Sequence, residues 1–238
     1  MRELTQTLTD AILEPILHRD AAGPRITYYD DATGARIELS ALTLANWAAK
    51  TANLIRDEFG LTPGARVAVL LPAHWQTAAV LLGAWWAGAE VMLQPDDDAE
   101  LALVTPERLD EVDGVAEVAA LSLDPMGMPV PDLPIGVTDF ATSVRAHGDQ
   151  FHPRGAGTAL EGMPVDDVLA AARKSAARQG FSTTDRVLST APWDTPTEVI
   201  DGLIAVYAAG ASLVQVVNPD PAQREHRIAT ERITLPRA

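Results

Sequence analysis

The sequence predicts an α/β protein of two similar subdomains, each a mainly parallel sheet flanked by helices, on three observations. Helical and strand patterns alternate with short loops between them. The strands are continuous apolar runs, as in a sheet covered on both faces. One strand–helix–strand unit also occurs twice, about 120 residues apart.

The first helix runs over Leu44 to Phe59, where Leu44, Trp47, Ala48, Thr51, Leu54 and Ile55 recur at helical spacing and Gly60 follows as a stop. Arg66 to Leu71 (RVAVLL) is a buried strand ended by Pro72. Trp75 to Trp86 is an Ala/Leu-rich helix ended by Gly88, and Val91 to Leu93 is the next strand, closed by Pro95 and an acidic turn, Asp96 to Asp98. Strand, helix and strand joined by short loops imply a parallel crossover. In the later half Val165 to Gln179 is helical. Asp166 and Asp167 near its start and Arg173, Lys174 and Arg178 near its end complement the helix dipole. Arg186 to Thr190 is a strand ended by Pro192, Pro196 to Ala209 a helix ended by Gly210, and Ser212 to Val217 a strand closed by Asn218, Pro219 and Asp220.

The repeat is visible when GLTPGARVAVLLP (residues 60–72) is set beside GFSTTDRVLSTAP (residues 180–192). Each is followed by an apolar helix, an Ala-Gly-Ala and a strand that ends in Pro-Asp. The chain divides on this reading into a first α/β subdomain over 1–98, an irregular connecting region over 99–164, and a second α/β subdomain over 165–238. In the connecting region LALVT and VAEVAALSL read as strands and Asp139 to Arg145 as a short helix. HGDQFHPRGAGTALEGMP (residues 147–164) reads as an exposed, mobile linker.

Composition narrows the functional classes. A chain of 238 residues that is 47% hydrophobic and 21% charged can bury a large core. Its net charge of −15, from 33 acidic against 18 basic residues, repels phosphate backbones and anionic headgroups, so no nucleic acid and no membrane is expected as a partner. Without cysteine, disulfides, thiolate metal sites and cysteine nucleophiles are excluded; the absence fits a cytoplasmic location. MRELTQTLTD lacks a signal-peptide core, and the most apolar window, Thr77 to Leu93, is interrupted by Gly83, Gly88 and Glu90 and is short for a membrane span. No nucleophile elbow, Walker loop or dinucleotide fingerprint is present.

Other clusters point to solvated surface first. His147, Asp149 and His152 lie within six residues and could meet a metal, but nothing in the sequence fixes a third or fourth ligand, so no metal is expected there. The acidic turn of Asp96, Asp97, Asp98 and Glu100 reads as solvated, with a magnesium or calcium ion as the alternative. Arg224, Arg227, Arg232 and Arg237 read as the solvated face of a last helix, with a patch for an acidic or phosphate-bearing ligand as the alternative. The only lysines, Lys50 and Lys174, read as solvated helix residues.

The block GLTPGARVAVLLPAHWQTAAVLLGAWWAGAEVMLQP resembles the first conserved block of acyl-adenylate-forming (AMP-binding) enzymes, which include acyl-CoA synthetases and adenylation domains. ITYYDDATGARIELSALTLANWAAKTANLI resembles their opening hairpin and helix, and DRVLSTAP their segment beyond the phosphate loop, so the resemblance covers roughly Ile26 to Val217. It implies the two-subdomain large domain of that family. It also implies a phosphate loop rich in Ser, Thr and Gly that ends in Pro-Lys-Gly, whose amides and lysine hold triphosphate. The corresponding stretch here runs from Gly155 to Val165. Gly155, Gly157, Thr158 and Gly162 remain as cofactor-binding candidates, while Glu161 adds a carboxylate and Val165 stands where the lysine is expected.

A carboxylate repels triphosphate and a missing ammonium removes its partner, each worth a few kcal/mol in a dry site. Trp193 stands where the family carries a histidine or aromatic gate; it reads as core or rim packing, with a substrate-pocket wall as the alternative. No counterpart of the family's adenine-binding segment, TGD aspartate or lysine-bearing small domain is expected in the sequence up to Ala238. The resemblance therefore implies a truncated, degenerate pseudoenzyme with no catalytic residues and no resident cofactor, acting as a binding or interaction module. Two alternatives stay open: a ligase subunit completed by a partner chain, and a binder of an acyl group, CoA or a nucleotide. A homodimer or protein partner is expected to cover the truncated face.

Overall fold

The computed structural model describes residues 6–237; the first half of the amino-terminal segment read above, residues 1–5, and Ala238 lie outside them. Helix α1 (Leu8–Asp20) is capped by Thr7, whose hydroxyl accepts from the Asp10 amide, and it buries Leu8, Ile12, Leu13 and Ile16. Strands β1 (Pro24–Asp30) and β2 (Ala35–Ser40) form an antiparallel hairpin. Helix α2 (Ala41–Asn53) continues through a π-helical turn, Leu54–Glu58, with its Ala- and Leu-rich face buried. Strand β3 (Arg66–Leu70), helix α3 (Trp75–Ala87) and strand β4 (Glu90–Met92) make the first parallel crossover. Nearly all of α3 is buried, which is why its sequence is apolar on every side.

Next come β5 (Leu101–Val104), a 3₁₀ turn at Pro106–Glu111, β6 (Glu117–Ala120), β7 (Val137–Asp139) and α4 (Phe140–Ala146). A short hairpin, β8 (Thr158–Leu160) and β9 (Met163–Pro164), leads into α5 (Val165–Gln179). The second crossover is β10 (Arg186–Ser189), a helix made of α6 (Pro196–Val199), a π turn (Ile200–Ile204) and α7 (Ala205–Ala208), then β11 (Ser212–Val217). Helix α8 (Arg224–Thr230) and strand β12 (Leu235–Pro236) follow. Gly88 and Gly210 end the two crossover helices in the left-handed region, at φ +81° and +74°, so the repeated spacing is a repeated geometry.

The strands form two mainly parallel sheets, β7-β6-β5-β3-β4-β8-β9 and β12-β10-β11-β1-β2, antiparallel only at the two hairpins. Helices α1, α2, α3, α5 and α7 pack on one another in the main hydrophobic cluster, which contains residues from both sheets. Sheet membership cuts across the boundaries at 98 and 164. Hairpin β1–β2 joins the second sheet through β1 and β11, in register Ile26 to Leu213, while strands from 101 to 164 extend the first sheet.

Three readings are corrected. The stretch over residues 147–164 is not simply an exposed linker. Phe151 is buried among Ala49, Ala52 and Trp86, with the Arg56 guanidinium 4.6 Å from its ring centre, and Leu160 pairs with Val91. Arg227 is not solvated: it is buried, ion-paired with Asp31 and 4.3 Å over the Tyr29 ring. Lys50 is partly buried and donates to the His147 carbonyl, which ties α2 to the end of α4.

Glu231, just past α8, anchors that helix to the second sheet. Its buried carboxylate accepts from the Tyr29 hydroxyl, from Arg36 Nε at 2.9 Å and from Arg186. Burial alone raises its pKa, but the hydrogen bonds from Arg36, Tyr29 and Arg186 outweigh that and hold it down at about 2. Because the folded value lies below the unfolded one, this carboxylate contributes stability above about pH 4.5 that is lost as pH falls toward 2. Glu231→Ala is expected to lower unfolding free energy at pH 7 by about 3 kcal/mol and to flatten the stability profile between pH 5 and 2, read from urea midpoints. An unchanged midpoint would show that the network does not hold α8.

Candidate functional site

Of the glycine-bearing candidates, Gly155 and Gly157 pack against the loop before β3 and the end of α3. The Gly64 amide donates to the Gly88 carbonyl at 2.9 Å. A Cβ on Gly88 would lie 2.6 Å from the Gly155 carbonyl oxygen, and one on Gly157 would lie 3.2 Å from Gly64 Cα. These glycines let three backbone segments touch. Behind them, between Leu8, Trp85 and Ala159, there is no room for a water, and Trp85 Nε1 donates to the Ala159 carbonyl at 2.8 Å.

Thr158 and Gly162 are separated by the hairpin itself. Thr158 opens β8 opposite Pro164, whereas Gly162 forms the turn with Glu161. Both turn residues have positive φ, +40° and +81°, as a two-residue type I′ hairpin requires. The tip's hydrogen-bonding groups point into the protein. Glu161 N donates to the Val91 carbonyl at 3.0 Å and Gly162 N to Glu90 Oε1 at 2.7 Å, while Glu161 Oε1 accepts from Leu93 N at 3.1 Å. A phosphate cradle needs a run of unpaired amides facing outward. At this turn both amides are occupied, and the Glu161 carboxylate serves β4.

Trp193 lies elsewhere, at the carboxyl end of β10. It is 1% exposed, part of the main core, and its indole nitrogen has no hydrogen-bond partner; a Cβ on Gly202 would come within 3.2 Å of it. The adjoining chain is held firmly. Asp194 and Thr195 amides both donate to Glu198 in a capping box, and the Asp194 carbonyl accepts from Gln94 Nε2 at 3.1 Å. That last bond joins the end of the first sheet to the end of the second.

Beside it is a cavity of about 290 Å³ lined by Val69, Leu71 and Leu93 from the first sheet, Trp193 and Asp194 from the second, with Gln94 and Arg108 supplying polar groups. It sits at the carboxyl ends of β3, β4 and β10. There β3 has β4 on one side and β5 on the other, a switch in strand order of the kind where open α/β sheets bind ligands. Arg108, on the turn after β5, is held by two hydrogen bonds to Glu111 at 2.8 and 2.6 Å. The surface of the crevice is mostly polar: it presents the amide of Gln94, the exposed Asp194 and the guanidinium of Arg108, already paired with Glu111, over buried Val69, Leu71, Leu93 and Trp193. Trp193, expected as core or rim packing with a pocket wall as the alternative, is core beside this cavity; Gln94 and Arg108 were not singled out by the sequence. The signal for Arg108 was its place two residues beyond Pro106, on the first turn after a strand.

Among the described residues no group of three acidic or histidine side chains lies close enough to hold a metal. His147 Nε2 lies 2.9 Å from Glu58, and the acidic turn receives Arg66 at 3.4–3.5 Å. His74 is a buried N-cap of α3. Its Nδ1 accepts from Gln76 N at 3.1 Å, its ring meets Tyr28 edge-on at 4.3 Å, and burial depresses its pKa to about 3, so it is neutral.

No family model matches the chain. It is 59% identical over 236 residues to a protein of Mycobacterium tuberculosis described as a TIGR03089 family protein, a match that covers 96% of this chain and 97% of that one. Among solved structures it is similar to the acyl-CoA synthetase of Brucella canis, with a TM-score of 0.78 and 18% identity over 97% of this chain and 47% of that one. It is also similar to the anthranilate CoA ligase AuaEII in complex with anthranoyl-AMP, at 0.74 and 17% over 98% and 49%. The amino-terminal domain of FACL13 from Mycobacterium tuberculosis matches at 0.69 and 16%, over 98% and 63%. The chain spans about half the length of the two ligase chains, and at these identities the likeness is one of fold. That fold is the amino-terminal part of the adenylate-forming large domain.

The close packing at Gly88 is testable against Gly34, which is also left-handed, at φ +74°, but has open space around its Cβ position. Gly34→Ala is expected to cost about 1 kcal/mol, for backbone strain alone. Gly88→Ala is expected to cost more than about 2 kcal/mol, because the Gly155 carbonyl must also move. Equal losses in chemical denaturation would show that the hairpin segment is not seated on α3.

Proposed function

The chain belongs to the TIGR03089 family, and from that footing we propose that it is a non-catalytic user of the adenylate-forming fold: a module that binds a small ligand and does not activate it. One observation carries this reading. Where the resemblance to adenylating enzymes implies a phosphate loop, this chain has the two-residue turn Glu161–Gly162, with its amides bonded inward and a carboxylate at its tip. Backbone amides stabilise phosphate only when they are preorganised toward it. Opening this turn would break the bonds to Val91, Glu90 and Leu93 together, each worth about 1 kcal/mol net or more.

The ligand of this module is placed in the crevice beside Trp193, with Arg108 and Gln94 as its polar contacts. What supports this is a preformed, mostly polar cavity with an amide and a guanidinium at the switch in strand order. The chemistry suits the polar end of a small ligand such as an acyl group, with Gln94 and Arg108 as hydrogen-bond donors; Arg108 is already paired with Glu111, so it offers donors and no free charge. The crevice provides binding and orientation, and no acid, base or nucleophile of this chain is assigned a step.

Pure protein is expected to give no ATP–pyrophosphate exchange with any carboxylic acid; sustained exchange would overturn the reading. In a thermal-shift panel of AMP, ATP, CoA and acyl-CoA, a ligand at 100 times its Kd adds about 2.7 kcal/mol. For a chain of this size that is a rise of roughly 5–10 °C. Arg108→Ala is expected to remove most of that rise. A panel in which nothing shifts the wild type would defeat the binding role.

A further inference from the structure

Helix α3 begins on a histidine, and this side chain caps the helix only while it is neutral. His74 is 2% exposed, and its Nδ1 accepts from the Gln76 amide at 3.1 Å. Nδ1 therefore presents a lone pair, and the one ring proton sits on Nε2. That nitrogen is buried and has no hydrogen-bond partner among the described residues. A second proton has to go on Nδ1, where it points at the Gln76 N–H. Two donors cannot share one bond, so protonation and the cap exclude each other.

The same turn of α3 holds a loop. Trp75 Nε1 donates to the Pro125 carbonyl at 3.1 Å, and Gln76 Nε2 to the Asp124 carbonyl at 2.9 Å. Both donors directly follow His74, and both acceptors lie in the chain that leaves β6. This loop rests on Trp75, since a Cβ on Gly127 would lie 3.6 Å from the indole. It is strained where it is held. Leu123 has φ +53°, in the left-handed region that a bulky residue enters only under constraint. Just past the anchor, Met126 and Met128 are exposed, with both amides bonded to Asp124 Oδ1 at 2.8 and 3.3 Å.

The groups around His74 set the direction of its response. Tyr28, edge-on to the imidazole, stays a neutral phenol, with burial and Asp30 pushing its pKa up to about 12. Asp30, at the end of β1, and Asp124, in the loop, both favour an imidazolium, but burial outweighs them and holds His74 near 3. Burial raises Asp30 as well, yet hydrogen bonds from Asn218, Thr33 and Ala32 more than offset it, so this carboxylate stays charged in mild acid. Once unseated and solvated, His74 returns to its ordinary value of 6.5. The seated ring then binds fewer protons than the released one. Each pH unit below 6.5 therefore favours release about tenfold, an effect that ends near pH 3.

We propose that His74 is an acid-operated latch: a proton on Nδ1 uncaps α3, and its first turn lets go of the Leu123–Pro125 loop. Release relaxes Leu123 and uncovers the Trp75 indole, an apolar surface next to the two exposed methionines. Above pH 6.5 the latch is shut. Nothing in it uses Arg108, Gln94 or Trp193, so this inference stands apart from the binding role of the crevice.

Hydrogen exchange followed by NMR on the full chain tests it, with rates expressed as protection factors so that their intrinsic pH dependence cancels. Between pH 6.5 and 4.5 the Gln76 and Met126 amides are expected to lose protection about a hundredfold, while the β5 amides stay more protected throughout. His74→Asn and His74→Ser cap a helix without titrating in this range, and each is expected to keep loop protection constant within about threefold. Constant protection in the wild type would overturn the latch. An equal fall in both variants would do so too, by assigning the proton to a carboxylate. So would β5 amides that open to the level of the loop, because that pattern is global unfolding.

Discussion

The seam where β8 lies along β4 decides what this chain can do. It needs the backbone at Gly88 and Gly157 to approach the Gly155 carbonyl and Gly64 Cα so closely that a Cβ would lie 2.6 and 3.2 Å from them, which residues without a Cβ allow. Once that contact is made, Thr158–Leu160 can pair at Val91 and complete the sheet edge, and the chain must reverse at once to start α5. A two-residue turn is the shortest reversal available. The cost is the loop: nothing projects from the seam that could wrap an anion. The carboxylate at the turn is then an asset, since Glu161 satisfies a backbone amide at the end of β4 that the short strand leaves unpaired.

The same seam fixes the crevice. Pairing of β8 holds the end of β4, and Leu93 and Gln94 leave that end to meet Trp193 and Asp194. The second sheet is held from its far side by Glu231 and the Arg227–Asp31 pair, which lock α8 and β1 onto one another. Two independently braced sheets therefore face each other across a narrow gap with few adjustable parts. Preorganisation of this kind favours binding of one shape over adaptation to many.

Much of the fold was legible because glycine and proline punctuate it. Pro72, Gly88, Pro192 and Gly210 end elements where local sterics require an end, and the structure ends them within three residues of these positions. What was not legible depends on partners distant in sequence. Arg227 has helical-surface spacing, but its carboxylate is Asp31, at the start of the turn after β1. Phe151 sits in a run of Gly, Pro and polar residues, and only the fold shows that Ala49, Ala52 and Trp86 make a socket for it. Glu161 was legible as a group hostile to phosphate. Its bond to Leu93, 68 residues away, was not. Beside the cavity Trp193 was legible as a packing residue by type and position, whereas Arg108 and Gln94 are ordinary residues brought next to it by the strand order.

The two crossover units also show how a repeated scaffold comes to carry different sites. In the first unit α3 runs unbroken from Trp75 to Ala87 and is buried from Trp75 to Trp85, with Trp86 and Ala87 partly exposed at its end. In the second, the corresponding helix opens into a π turn at Ile200–Ile204, with Gly202 placed where the Trp193 indole presses on it. A π turn carries one residue more than an α turn and widens the helix locally, a departure that recurs at functional sites. Here the widening admits the large side chain that follows β10, and it brings Trp193 into the core while leaving its edge on the crevice. The asymmetry between the units therefore lies in the π turn at Ile200–Ile204, where Gly202 leaves room for the Trp193 indole beside the cavity.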